Sequence, residues 1–91
     1  MSNERMGLAL RILGVLAEVE VPGLTRGEIR TKLGVPADTE VTARIRELRN
    51  YASYGQFDVR VAQVGRKEFT YWLVPAERER AKQFLAQWRA A

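Results

Sequence analysis

The stretch Leu24-Thr25-Arg26-Gly27-Glu28-Ile29-Arg30-Thr31-Lys32-Leu33-Gly34-Val35-Pro36-Ala37-Asp38-Thr39-Glu40-Val41-Thr42-Ala43-Arg44-Ile45-Arg46-Glu47-Leu48-Arg49-Asn50 decides the fold. Thr25 and Glu28 have the spacing of a capping box, in which the hydroxyl accepts from the third helical N–H and the carboxylate reaches back to the cap's own N–H. A helix is expected from Thr25 to about Leu33, with Ile29 and Leu33 on one face at i, i+4. Gly34 suits a left-handed stop, and Pro36 disfavours helix at Val35. Gly34-Val35-Pro36-Ala37 therefore reads as a tight connector. The spacing predicts a second helix from about Asp38 or Thr39 to Asn50, whose buried stripe is Val41, Ile45, Leu48 and Ala52. Thr39, Ala43, Arg46 and Asn50 lie opposite that stripe, with Thr42 and Arg49 on one shoulder and Arg44 on the other. A short helix, a tight turn and a longer helix carrying polar groups outward make a helix-turn-helix arrangement.

Downstream, Phe57, Val59 and Val61 alternate with Asp58, Arg60 and Ala62, as a half-buried strand requires. The run Phe69-Thr70-Tyr71-Trp72-Leu73-Val74 is rich in strand-favouring residues. A three-residue turn at Gly65–Lys67 would pair Val61 with Tyr71 and Val59 with Leu73. That register also sets Arg60 opposite Trp72, a candidate cation–π contact. The hairpin tip, with Arg66 and Lys67, is basic. After Pro75 a last helix is expected to about Arg89, with Ala81, Phe84, Leu85 and Trp88 at helical spacing.

Upstream, a helix is expected from about Asn3 to Val19, ended by Val21-Pro22-Gly23. Its apolar residues, Leu8 to Val19, cover an arc of roughly 220°, whereas packing on one side needs little more than about 100°. Two explanations fit: the helix is central to a small core, or its surplus surface meets a second subunit. The second makes Leu13, Leu16, Phe84, Leu85 and Trp88 the expected interface of a homodimer.

Composition narrows the function. With 91 residues the chain suits one domain with one core. Its net charge of +4 suits an anionic partner. The sequence has no cysteine and no histidine, which removes disulfides, the usual zinc and haem ligands, and Ser/His and Cys/His nucleophile systems. No phosphate-loop or dinucleotide-turn glycine pattern is present. No catalytic, cofactor or metal role is expected. The apolar stretch Met6–Val19 contains Arg11 and Glu18, is too short to span a bilayer, and does not read as a signal peptide. A cytoplasmic protein that engages no membrane is expected.

The order of helix, helix-turn-helix, basic-tipped hairpin and closing helix resembles the winged-helix family, and in particular the small winged regulators of prokaryotes and their mobile elements. The resemblance rests on Leu24–Ile29, Val41–Arg49 and Val64–Phe69, and covers roughly residues 20–75. It implies an α+β fold over residues 1–91, a single domain in which a three-helix core carries a β-hairpin wing and an additional C-terminal helix. Leu24 would belong to a short first strand that pairs with the wing. The implied function is sequence-specific binding of double-stranded DNA in transcriptional or replicational regulation, with residues 38–50 in the major groove and the wing, 57–74, on flanking DNA. The resemblance makes Thr39, Thr42, Ala43 and Arg46 the base-contact candidates. It makes Thr25, Arg26, Arg30, Arg44, Arg49, Asn50, Arg66 and Lys67 the candidates for backbone or wing contact. Glu40 has two roles open to it, accepting from cytosine or supplying a favourable first-turn charge. Tyr51 and Tyr54 are expected to cover the core rather than to stack on a base. The alternative function is a winged-helix adaptor or inhibitor that binds a protein and no DNA.

Overall fold

Thr25 and Glu28 form the expected capping box: Glu28 N donates to Thr25 Oγ1 at 3.1 Å, and Thr25 N donates to Glu28 Oε1 at 2.8 Å. The computed structural model describes residues 7–90, with the side chains of residues 7–88. Helix α1 is Gly7–Leu16, strand β1 is Leu24–Thr25 and helix α2 is Arg26–Leu33. The left-handed Gly34, with φ 71°, ends α2 and donates its N–H to the carbonyls of Arg30 and Thr31. Arg11 of α1 donates to the Leu33 carbonyl at 3.0 Å and so satisfies another orphan group at this helix end.

Helix α3 is Thr42–Asn50, shorter at its start than the sequence pattern suggests. The residues before it stay in a loop because their polar groups are satisfied there. Thr39 N donates to Pro36 O, and Thr39 O accepts from Arg30 Nε at 2.7 Å. The Glu40 carboxylate then accepts from Thr42 N at 2.9 Å, which caps the helix where it begins.

Strands β2, Val59–Gly65, and β3, Glu68–Leu73, form the hairpin, and β1 adds to it in the antiparallel order β1-β3-β2. Val61 pairs with Tyr71 and Val59 with Leu73, as the alternation requires. The turn itself differs: Gly65 pairs with Glu68, and the register shifts between Gln63 and Gly65. The loop is thus reduced to Arg66-Lys67, with Val64 as the extra residue of a bulge. Arg60 stands opposite Trp72, but its Nε goes to Asp58 Oδ2 at 2.8 Å. The cation–π contact that does form is elsewhere, between Arg80 and Phe57.

Helix α4, Pro75–Ala90, returns over α1 and β3. α1 is the centre of the core, touching α2, α3, α4 and β3, and this explains its wide apolar arc. Leu13 and Leu16 are completely buried within the chain and Leu85 nearly so. The dimer interface expected at these three is therefore corrected: they have no surface to give a second subunit. Phe84 is half-buried and packs edge-on against Phe57, while Trp88 remains exposed. α1 ends at Leu16, before the expected Val19, as the chain tightens through Glu18 N to Val15 O and Val19 N to Leu16 O bonds. Arg78 of α4 donates to Val19 O at 2.9 Å and holds that end. The expected start of this helix, Asn3 to Met6, lies outside the described residues. Helices, short β1, helix-turn-helix, wing and closing helix together make a winged helix-turn-helix topology.

Candidate nucleic-acid interface

The pairing of β1 with β3 brings the start of α2 beside the hairpin tip. Thr25 is opposite Thr70 in the sheet and also caps α2, so strand and helix share a residue. The result is an open cleft of about 410 Å³. Thr25, Arg26 and Arg30 line one side, and Arg66, Lys67 and Phe69 the other. Gly27, which has no side chain to obstruct it, and Glu68 complete the lining. Arg26, Arg66 and Lys67 are exposed, while Arg30 is half-buried and uses Nε to brace Thr39 O. The lining therefore carries four cations, Arg26, Arg30, Arg66 and Lys67, against the single carboxylate of Glu68. Such an imbalance at a helix N-terminus favours an anion. Lys67 holds its place at the tip with φ 63°, a left-handed conformation uncommon for a residue with a side chain.

Phe69 also borders a second hollow, of about 230 Å³, between α3 and the hairpin. Val61, Phe69 and Tyr71 supply its apolar floor, and Thr42, Arg46 and Arg49 the side toward α3. Basic cleft and helix face are thus contiguous through one side chain. Arg46 and Arg49 are exposed, whereas Thr39, Thr42 and Ala43 are half-buried. The Thr42 hydroxyl is buried without a hydrogen-bond partner, so it offers less to an incoming ligand than the helical wheel implies. Arg44 pairs with Glu47 at 3.0 Å and is not among the residues lining either hollow. Asn50 is exposed at the end of α3, where its backbone carbonyl accepts from Gln56 Nε2 at 3.3 Å.

The structure therefore collects Thr25, Arg26, Arg30, Arg66 and Lys67 into one cleft, and Thr42, Arg46 and Arg49 into the next. No protein-family model, curated protein or solved structure matches the chain. Among the described residues no helix is long and apolar enough to cross a membrane, and no group of three or more His, Cys, Asp or Glu residues could hold a metal ion.

Sequence reasoning misses the apolar floor, because Val61 and Phe69 read only as strand residues facing a core. In fact Val61 is 43 % exposed and lines this hollow. Arg30 reads as a backbone-contact candidate in the sequence, and its spacing to Thr39 across a turn gives no hint of the bond between them. Tyr54 packs against the core, and Tyr51 lies outside it, stacked on Tyr54 with ring centroids 6.1 Å apart.

Proposed function

We propose that this chain binds duplex DNA without catalysing a reaction, as a regulator of transcription or replication. The carrying observation is the contiguity of a four-cation cleft with the exposed face of α3. A major groove about 12 Å wide accepts one helix, while phosphates on the flanking strand meet the start of α2 and the wing tip. Arg46 donates to a guanine edge from the exposed face of α3, Arg49 approaches the backbone, and Arg66 and Lys67 hold flanking phosphates. Arg30 serves mainly to fix the connector against α2, with its remaining guanidinium N–H groups at the cleft. Two copies on symmetric half-sites would meet through Trp88, which is exposed, rather than through α1. A cytoplasmic location is part of this proposal.

The test is titration of labelled genomic duplex fragments at two salt concentrations. Saturable, fragment-selective binding supports the proposal, and the Arg66→Ala/Lys67→Ala double variant should lower the log–log salt slope by about 0.9 for each phosphate no longer neutralised. No retention at low salt would overturn it in favour of a protein-binding module, and equal salt slopes for the two proteins would remove the wing from the interface.

A further inference from the structure

The N-terminus of α3 is occupied by a carboxylate. Glu40 Oε1 accepts from Thr42 N at 2.9 Å and from Ala43 N at a longer 3.5 Å, and the residue is exposed. Its neighbour Thr39 is the residue whose carbonyl Arg30 holds, and Arg30 lines the basic cleft. The negative charge is thus fixed at the leading end of the helix that the proposed function inserts into DNA, one residue on from the carbonyl that Arg30 holds and two ahead of Thr42, which lines the second hollow. Among the described residues Glu40 has no ion-pair partner, unlike Glu47 and Glu77, which pair with Arg44 and Arg80.

This placement has two physical effects. The carboxylate takes N–H groups that a bare helix end would offer to a phosphate, and it repels any phosphate that approaches. A carboxylate is also an acceptor only, and in the major groove the base that rewards it best is cytosine, through the N4 amino group. Thymine and guanine present carbonyl oxygens there and leave the charge desolvated and unpaired. A site that penalises the wrong partner in this way gains selectivity at the expense of general affinity.

Resting on the proposed duplex binding, we infer that Glu40 is a specificity-determining residue, which caps α3 through Oε1 and accepts a cytosine amino proton through the oxygen not used for the cap. The weakly bound duplexes it rejects are those that would otherwise be held by the neighbouring cations alone.

Selection from a pool of random duplexes, carried out with the wild type and with Glu40→Gln, tests this. The amide retains an oxygen for the cap and removes the charge. The variant should bind random duplex more tightly, and its preference for cytosine at one position of the selected site should fall about tenfold. An independent measurement uses the selected site with N4-methylcytosine at that position, which puts a methyl group where the carboxylate would accept. Wild-type affinity should drop there, and the measurement requires no variant to fold. An unchanged base preference in Glu40→Gln, or full tolerance of N4-methylcytosine by the wild type, would overturn the inference while leaving duplex binding intact. A wild type that selects no sequence at all would overturn both.

Discussion

The guanidinium of Arg80 lies over the ring of Phe57, 4.0 Å from its centroid. From that position it donates to Glu77 Oε1 at 2.7 Å and to the carbonyl of Gly55 at 3.0 Å. Glu77 in turn accepts from the backbone N–H of Asp58 at 2.7 Å. α4 is thereby fastened to the loop from which β2 departs, at the place where Gly55 and Gln56 both have positive φ. Arg80→Lys keeps the charge but loses the planar fork that reaches carboxylate and carbonyl together. We expect it to cost about 1–2 kcal/mol, a figure reduced for the partial exposure of the side chain, and a shift of the urea midpoint measures it.

The same pair sets part of the acid sensitivity. The hydrogen bond from Arg80 holds the Glu77 carboxyl below the usual glutamate range, with Asp58 N–H assisting and burial opposing. A carboxylate whose pKa is lower folded than unfolded contributes stability above the unfolded pKa, and loses it as pH falls through the folded value. Glu77→Gln should therefore lower stability near neutral pH and flatten the decline on acidification. Parallel acid-unfolding curves for the two proteins would contradict this.

Gly23 and Gly34 both have positive φ but differ in surroundings. A Cβ on Gly23 would fall 2.1 Å from the backbone oxygen of Tyr71, whereas one on Gly34 would meet nothing within 4 Å. Gly34→Ala should cost only the left-handed conformation, about 1–2 kcal/mol. Gly23→Ala must also displace β3, and should exceed Gly34→Ala clearly in a thermal melt.

Leu16 and Leu85 pack inside the chain. Their replacement by Ala should cost about 2–5 kcal/mol each, with a melting temperature that does not depend on protein concentration. A concentration-dependent loss would instead mark these residues as subunit contacts.

Arg46 is exposed on α3 beside the hollow floored by Val61 and Phe69. Arg46→Ala should weaken binding to the preferred duplex by roughly 1–3 kcal/mol and relax one base position. A selected-site profile identical to that of the wild type would exclude direct readout by this side chain.

Features set by near neighbours are legible in the sequence. The Thr25–Glu28 box, the Gly34 stop and the Val61–Tyr71 register each depend on residues that local spacing brings together. Long-range contacts are not legible: Arg78 holds the Val19 carbonyl, in the turn after α1, from 59 residues away, and no pattern marks it out among its neighbouring charges. The helical wheel measures the apolar arc of α1 correctly. Periodicity has no means of distinguishing a helix enclosed by four elements from one shared with a partner, so it places Leu13, Leu16 and Leu85 on the wrong side of the surface. For α3, Asp38 and Glu40 resemble a first helical turn, but the bond from Arg30 to Thr39 O keeps that segment out of the helix ahead of the cap.

Because Thr25 belongs to β1 and caps α2 as well, no hinge separates the root of the wing from the start of the helix. The two jaws of the basic cleft are set at one opening before anything enters. Binding then costs no ordering entropy at their root, and under the proposed function a duplex that fits should bind without rearranging the fold. A fixed opening also acts as a gauge. B-form and A-form helices space their phosphates differently across their grooves, so under the proposed function a duplex DNA and a double-stranded RNA of equal length should differ in affinity for this cleft.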